Sequence, residues 1–485
     1  MKFLHTMLAL LLLAISVAAQ AAEKSAPLSG KIVGRDSANN QLTVAHGDVA
    51  GIMGAMTMSY EVRGARVASL PKNGTAITAT LHESSGSLWL TDVKASDMSG
   101  MTMAPDATAD FLMRQASGTS LNPAAAPMHM TMAQQGDWML MLHGQAFINY
   151  VTATGPRGDD KVFSTNWLMG MADRPLAGGH LMLRAMFSLE PLTVGKKYPE
   201  LFQTGETIHG RPIVDAQHPH DFFMELAAEY AHPVSDDTIV FVYAAPFGDP
   251  SLGPVAYPHR ASASEIPQAT LSHHVQDSTH IAGSVLTIGA QSGRLGYALS
   301  GFHGREPDEN RWDIDTGKID SWAARATFDP TPNWTAQIST GHLRHPEAAE
   351  PGNVQRTTAS VAYSNGQWNT SLIFGRNKKT EGRAASSWLA ESVLQFAGRN
   401  YVTGRGEIVD KDELFAAMPA VRIKALTLGY SRDLLATRAI VGALGGNVTL
   451  YSIPDAIKPE YGSSPRSYYV FMHLRGRGGR EAHRM

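Results

Sequence analysis

Methionine and histidine are concentrated near the start of the sequence in a pattern that suits a soft metal ion. Residues 46–58 read HGDVAGIMGAMTM, so that His46 precedes the closely spaced Met56 and Met58. On a β-strand Met56 and Met58 point to the same face, where two thioethers can reach one ion. Thioether and imidazole donors without carboxylates prefer Cu(I) or Ag(I) to hard cations. The spacing therefore predicts a Cu(I) site at His46, Met56 and Met58.

A second interpretation is that these methionines fill the interior of a small barrel, as methionine commonly does. Against it, two further clusters lie in a polar stretch with no core to fill, and ten methionines of the chain beyond the leader precede residue 133. We predict that these clusters also contact metal. Their candidate ligands are Met98, Met101, Met103, Met128, His129, Met130 and Met132.

Histidines form a separate concentration, with eight of 19 between residues 209 and 280. Imidazole combined with carboxylate suits Cu(II) or Zn(II) better than Cu(I). The candidate ligands are His218, His220, Asp221, His273, His274, Asp277 and His280. The alternative is a loop packed on itself or folded into a pore, with these side chains bonded to the backbone and to Arg211 or Arg260.

Composition excludes several classes of function. Cysteine is absent, which rules out disulfides, thiolate metal sites and cysteine nucleophiles. The 41 basic and 44 acidic residues give a net charge of -3, so no basic surface indicates nucleic-acid binding. No phosphate-binding loop, nucleophile elbow or HExxH motif is present, and the sequence predicts a protein that is not an enzyme.

The first 21 residues are predicted to be a signal peptide, with Lys2 before the apolar residues 7–18 and small residues at positions 19 and 21. No later stretch of 18 apolar residues occurs, and the mean hydropathy is -0.16. A chain of this kind spans a membrane only as a closed β-barrel, because every backbone group in lipid must be hydrogen-bonded internally.

Residues 22–96 are predicted to form a small five-stranded barrel of the OB type. The strand candidates are residues 30–36, 41–46, 56–62, 76–82 and 87–93. Residues 97–133 are predicted to be a Met-rich flexible linker.

Residues 134–478 are predicted to form an antiparallel transmembrane barrel of about 16 strands, followed by a tail over residues 479–485. The first strand has one apolar face with an aromatic residue near each end, as a lipid-facing strand requires. That face carries Trp138, Leu140, Leu142, Gly144, Ala146, Ile148 and Tyr150. Short turns alternate with long connections, as in bacterial outer-membrane barrels. The alternative is a large soluble β-sandwich.

Residues 28–96 resemble the CusF-like periplasmic copper-binding domain, with AMTM at residues 55–58 as the most specific stretch. The resemblance implies an OB-type barrel that takes Cu(I) or Ag(I) through His46, Met56 and Met58. The spacing from histidine to the MTM strand is one residue shorter than in that family, and Met53 stands where the family has a tryptophan over the metal. The resemblance therefore makes Met53 a candidate third thioether.

The rest of the chain is similar to outer-membrane barrel proteins that accompany copper-resistance functions, in phrases such as FSTNW at residues 163–167 and GREPDENRW at residues 304–312. We therefore predict copper or silver binding and handling at the outer membrane, contributing to copper tolerance, with the first domain in the periplasm. Expected partners are outer-membrane lipid and a periplasmic copper chaperone or efflux components. The alternatives are a passive porin with a metal-sequestering appendage and a cuprous oxidase built on the histidine-rich loops.

Overall fold

The chain forms two closed β-barrels in the computed structural model. The structure describes residues 23–37, 39–47, 49–53, 56–84, 87–96, 107–348, 352–380, 382–415, 418, 420–437 and 439–477. The predicted leader, the predicted tail and the candidate ligands Met98, Met101 and Met103 lie outside the described residues. The all-β architecture with a small and a large barrel confirms the fold class predicted from the strand patterns.

The small barrel has five strands in the order β1-β2-β3-β5-β4. Their bounds are β1 (Lys24–Asp36), β2 (Gln41–His46), β3 (Met56–Val62), β4 (Ala76–Ser84) and β5 (Ser87–Ala95). All pairs are antiparallel except β3 with β5, which closes the barrel in parallel. Inward side chains such as Leu28, Ile32, Leu42 and Val44 are fully buried and form its core.

The segment between the barrels is folded where the structure describes it, which differs from the predicted flexible linker over residues 97–133. Helix α1 (Ala107–Met113) is followed by the hairpin of β6 (Gln115–Ser117) and β7 (Ser120–Leu121). Helix α1 packs against β3 and against the large barrel. Its run of Phe111, Leu112 and Met113 is buried, and this apolar group is the physical reason that the segment folds despite its polar flanks.

The large barrel consists of 16 long antiparallel strands, closed by pairing of β26 with β9. On the edge of β9 that pairs with β26, the first residues of β9 pair instead with the short strand β8. The barrel therefore begins before the predicted boundary at residue 134. The strands from β8 onward are β8 (Met130–Gln135), β9 (Trp138–Ala153), β10 (Asp160–Leu176), β11 (Gly179–Phe187), β12 (Tyr198–Ile208), β13 (Arg211–Gln217), β14 (Phe223–Ser235), β15 (Thr238–Gly248), β16 (Ala282–Ser292), β17 (Leu295–His303), β18 (Ser321–Thr331), β19 (Trp334–Leu343), β20 (Val354–Ser364), β21 (Trp368–Lys379), β22 (Ala384–Phe396), β23 (Asn400–Lys411), β24 (Val421–Ala436), β25 (Ile440–Ser452) and β26 (Arg466–Gly476). Strands β12 and β13 form a separate hairpin.

The outer surface of the large barrel is apolar. Leu142, Ile148, Leu372 and Leu428 are exposed there, whereas the alternate residues of the same strands are buried inside. Aromatic residues such as Trp322 and Trp388 also face outward. This alternation is the pattern of a strand with lipid on one side and a packed interior on the other. None of the described helices has the length and apolar character needed to cross a lipid bilayer.

The interior of the large barrel is filled by the connection between β15 and β16, residues 249–281, which we call the lumen connector. Almost all residues of the lumen connector are buried. It contains the short helix α3 (His273–Gln276). Two other single-turn helices lie in other connections, α2 (Glu190–Thr193) and α4 (Lys458–Tyr461). Inside the lumen, Arg260 Nε lies 2.5 Å from Glu391 and Arg405 Nε lies 3.0 Å from the same carboxylate. Because buried charges are costly unless paired, the contact of Arg260 with Glu391 fixes the connector to the wall.

Candidate metal centres

Strands β2 and β3 bring three predicted ligands to one face of the small barrel. His46 lies directly opposite Met56 in the antiparallel register, and Val44 lies opposite Met58. Residues opposite one another, and residues two apart on one strand, share a face. His46, Met56 and Met58 are accordingly buried together, with 1%, 4% and 7% of their surface exposed. The backbone register alone therefore assembles one imidazole and two thioethers.

The imidazole of His46 is oriented by two contacts. Its Nδ1 lies 2.7 Å from the carbonyl oxygen of Gly47, and its Nε2 is in contact with the Tyr60 hydroxyl. Donation from Nδ1–H to the carbonyl leaves the lone pair on Nε2, which is the atom available to a metal ion.

Met53 joins the same cluster, since the Tyr60 hydroxyl lies 3.2 Å from Met53 Sδ. Burial raises the pKa of Tyr60 well above its ordinary value, so the phenol stays protonated. A ring hydroxyl thus bridges the imidazole and the third candidate thioether. Sequence reasoning did not single out Tyr60, although its place two residues after Met58 on the same strand face was a sufficient signal.

The second methionine cluster lies on the lumen wall of the large barrel. On β8, Met130 is opposite His143 of β9, and Met132 is opposite Met141. Met128 is half-buried and packs against the same core, and His129 precedes β8. Burial, together with the nearby Arg475, lowers the pKa of His129 to about 4, so its ring is neutral near pH 7.

Thioethers continue across neighbouring strands of the wall in two rows, which we call the methionine rows. In register across β8, β9 and β10, the first row contains Met132, Met141 and Met171. The second row continues to β11 and contains Met130, His143, Met169 and Met186. His143 Nε2 lies 3.2 Å from Met169 Sδ. These rows were not predicted as metal contacts beyond Met130 and Met132.

The small-barrel site and the methionine rows belong to one continuous buried cluster. It includes Met53, Met56 and Met58 together with Met113 of α1 and Met132 of the first row. Met171 packs both against this cluster and against a second one, which contains Met169, Met186 and Met224. Soft donors are thus spaced from the small barrel along the interior wall of the large barrel.

Five histidines of the long connections, predicted as candidate ligands, come together inside the lumen. They are His218, His220, His273, His274 and His280. Ring centroids of His220 and His280 are 5.3 Å apart, as are those of His273 and His280, and those of His218 and His274 are 5.8 Å apart. Burial lowers the pKa of His218, His274 and His280 well below the ordinary value, so these rings are neutral.

Most of these side chains have structural partners, as the alternative interpretation of the histidine-rich loops expected. His273 Nδ1 lies 2.8 Å from Asp277, which also lies 3.2 Å from Arg260. His280 Nδ1 contacts the Asp277 carbonyl oxygen at 2.8 Å, and His220 Nδ1 lies 3.0 Å from Glu190. Two further contacts are His218 Nε2 with Glu206 at 3.1 Å and Asp221 with Arg311 at 3.4 Å. His274 differs from the others, because both of its nearest acidic groups lie at 3.7 Å or more.

With the small-barrel geometry established, one comparison decides the kind of domain. Residues 25–95 match the family model of the copper binding periplasmic protein CusF. We refer to these residues as the CusF-like domain. The match covers the strands that carry His46, Met56 and Met58. No curated protein matches the sequence.

Solved structures similar to the chain are porins and other outer-membrane proteins. The anion-selective porin from Comamonas acidovorans is 12% identical, with a TM-score of 0.47, and the match covers 70% of this chain and 99% of the porin. Salmonella typhi OmpF in complex with daunomycin is 10% identical, with a TM-score of 0.47 and coverage of 71% and 100%. OmpT of Vibrio cholerae, expressed in the outer membrane, is 7% identical, with a TM-score of 0.43 and coverage of 71% and 99%. The architecture of the large barrel is established by its own strand pairing.

The location of the chain follows from that architecture. A closed barrel of 16 antiparallel strands with an apolar outer surface satisfies every backbone group internally and suits an outer membrane. The CusF-like domain lies at the end with short turns, where its Arg35 packs closely on Gly366 in the turn between β20 and β21. Short turns face the periplasm in such barrels, which places the CusF-like domain there.

Proposed function

We propose that the protein captures Cu(I), or Ag(I), in the periplasm through its CusF-like domain and passes the ion to the methionine rows inside an outer-membrane barrel. This handling contributes to copper tolerance, with a periplasmic copper chaperone or efflux component as the source of the ion. The proposal rests on one observation above the others. The buried methionines of the CusF-like domain and those of the lumen wall belong to the same buried apolar cluster.

The capture step is supported by the donor set of His46, Met53, Met56 and Met58. Thioethers are soft ligands that select Cu(I) and Ag(I), and no proton has to leave a thioether when the metal binds. The Nε2 of His46 supplies a fourth donor after the Tyr60 hydroxyl moves away. A carboxylate is not among these donors, which disfavours Zn(II) and Mg(II).

The transfer step is supported by the methionine rows. Packing alone accounts for single buried methionines, but seven soft donors in register on four adjacent strands also provide successive weak sites for one ion. Movement between such sites requires each to bind weakly enough to release the ion. The rows begin beside the CusF-like domain and end near Met224.

A Cu(I) competition titration on the purified full-length protein tests both steps. Met56→Ala together with Met58→Ala should remove the tightest Cu(I) equivalent, because only one imidazole and one thioether remain there. Met132→Leu with Met141→Leu and Met171→Leu should remove weaker equivalents and leave the tightest one intact. Met472→Ala, on the exposed outer face, is the matched control.

Two results would contradict the proposal at separate steps. Unchanged binding of the tightest equivalent by the Met56 and Met58 double variant would reject the capture site. A wild-type protein that binds one equivalent and no more would reject the transfer route, and capture would then stand alone. Copper tolerance of cells that express each variant should fall in the same order as the binding.

A further inference from the structure

Three long connections of the large barrel bring an imidazole and two carboxylates to one point inside the lumen. His274 belongs to α3 in the lumen connector, Glu306 to the connection between β17 and β18, and Glu347 to the connection between β19 and β20. One nitrogen or oxygen atom from each of the three lies within 4.8 Å of the others. The separations from His274 Nδ1 are 3.7 Å to Glu347 and 4.0 Å to Glu306.

The imidazole of His274 is buried without a hydrogen bond. Only 6% of the residue is exposed, and within the part of the chain that the structure describes neither ring nitrogen has a hydrogen-bond partner. A buried polar group without a partner costs on the order of 1–3 kcal/mol. In native proteins such a group calls for a ligand, since most buried polar atoms are satisfied.

The position of the ring is set by the backbone beside it. Gly205 has a φ of +117°, and a Cβ at this residue would lie 2.3 Å from His274 Cε1. Only glycine leaves room for the imidazole there and adopts this backbone conformation without strain. The ring is therefore held in place on one side by β12 while Nδ1 points towards the two glutamates.

The positive charges near the two glutamates are engaged with other groups. Lys379 Nζ lies 2.7 Å from Asp412, and Lys411 Nζ donates to Gln203 Oε1 at 2.8 Å. Arg356 donates to Asn377 Oδ1 at 2.9 Å and to the carbonyl oxygen of His274 at 2.8 Å. The positive charge near the two carboxylates is thus shared with several other groups, and a cation between His274, Glu306 and Glu347 would add positive charge directly at the carboxylates.

We propose that His274, Glu306 and Glu347 form a second metal site, which binds a borderline divalent cation, Zn(II) or Cu(II). One imidazole and two carboxylates are a donor set for such ions and not for Cu(I). Ligand bonds of about 2.1 Å require donor atoms about 3.4 Å apart in a tetrahedral arrangement. The observed separations of 3.7 Å and 4.0 Å would reach that spacing with shifts of a few tenths of an ångström. Water completes the coordination.

This site is separate from the Cu(I) site in donors, in location and in the oxidation state it selects. The CusF-like domain lies at the short-turn end of the barrel, whereas the three ligands here come from long connections. An experiment that rejects Cu(I) capture by the CusF-like domain therefore does not reject the second metal site. An experiment that rejects the second metal site likewise does not reject Cu(I) capture.

Zn(II) competition titration and Cu(II) electron paramagnetic resonance on the purified full-length protein test the proposal. The wild-type protein should bind one tight equivalent of Zn(II), and its Cu(II) spectrum should show coupling to one nitrogen. His274→Gln and Glu347→Gln should each weaken Zn(II) binding by at least about tenfold, as loss of a ligand does. His274→Gln should also remove the nitrogen coupling.

Matched controls separate ligand loss from general damage. His345→Gln changes an exposed histidine two residues before Glu347, and Glu460→Gln changes an exposed glutamate elsewhere; both should bind Zn(II) as the wild type does. The double variant Met56→Ala and Met58→Ala should also retain the tight equivalent of Zn(II). If the His274→Gln variant does not fold, Zn(II) binding by Glu347→Gln tests the proposal, because replacing glutamate by glutamine preserves the size of the side chain. Wild-type affinity in Glu347→Gln, or no tight Zn(II) equivalent in the wild type, overturns the proposal.

Discussion

In the proposed capture site, the Tyr60 hydroxyl would compete with Cu(I) for the lone pair of His46 Nε2. It contacts this nitrogen and also lies 3.2 Å from Met53 Sδ, so it engages two of the four candidate donors. An incoming ion has to displace the phenol before it gains the imidazole. The affinity of the site therefore includes the free energy of breaking a buried hydrogen bond, which is about 1 kcal/mol net.

The substitution Tyr60→Phe should tighten Cu(I) binding and destabilise the folded domain at the same time. Loss of the competing hydroxyl should lower the dissociation constant by about fivefold. Loss of the buried hydrogen bond should lower the free energy of unfolding by about 1 kcal/mol. A Cu(I) competition titration and a thermal melt measure the two effects, with the exposed Tyr297→Phe as control. Equal affinity in the two variants would contradict competition by Tyr60.

The proposed ligands differ in how far the sequence predicts them. His46, Met56 and Met58 follow from strand periodicity, because two adjacent strands fix the pairing of His46 with Met56. Glu306 and Glu347 approach His274 from separate connections, and the loops between strands carry no periodic signal that places them together. The histidine-rich connectors pointed to the region, but the acidic ligands were not predicted.

The lumen connector is anchored by charged contacts that depend on pH. Glu265, in this connector, lies 3.2 Å from His473 Nδ1 and 3.3 Å from Arg475 Nη1, and Ser431 donates to it at 2.8 Å. Burial alone would raise the pKa of Glu265, but Arg475 and His473 outweigh it and lower the pKa to about 2. The ionised carboxylate therefore stabilises the folded state above its ordinary pKa of 4.5.

Glu265→Gln should reduce stability near pH 7, and the reduction should disappear in acid. The contribution is present above pH 4.5 and is lost as the pH falls through about 2, because the carboxyl group is then protonated in both states. The shift corresponds to on the order of 3 kcal/mol. Denaturant unfolding in detergent, followed by tryptophan fluorescence at several pH values, measures the difference between wild type and variant. A difference that stays constant down to pH 2 would rule out this pairing.

The elements themselves were predicted unevenly. All five strands of the CusF-like domain were located from alternation and turn residues, since half-buried strands carry a period of two. Helix α1 was missed because only three apolar residues, Phe111, Leu112 and Met113, mark it in a segment of mostly small and polar residues. That helix is formed by burial against β3 and the large barrel, which no local pattern reveals.

In the whole molecule, described segments enter the lumen of the large barrel from both ends. Helix α1 and the hairpin of β6 and β7 enter from the short-turn side, where Ser117 Oγ accepts a hydrogen bond from the backbone of Ala256. The lumen connector fills the rest and reaches β9, where Gln145 donates to the Pro258 carbonyl oxygen at 3.2 Å. This filling disfavours a wide passive pore.

Conductance in planar bilayers should accordingly be small for the wild-type protein. Replacement of residues 250–276 by a short Gly-Ser turn should raise it several-fold, because the interior then has the water-filled cross-section of an open 16-stranded barrel. Removal of the mostly exposed residues 313–318 is the control and should leave conductance low. High conductance of the intact protein, insensitive to copper, would instead support the passive porin alternative.

Strand β8 ties the CusF-like domain to the wall of the barrel. Two strands pair along one edge of β9, one after the other. Strand β26 pairs with residues 145–153 and β8 pairs with residues 138–143. Trimming the chain up to residue 135 would therefore strip backbone partners from the first six residues of β9, at the periplasmic rim. A graft of the large barrel onto a different amino-terminal domain would therefore have to keep residues 130–135, because they complete the rim.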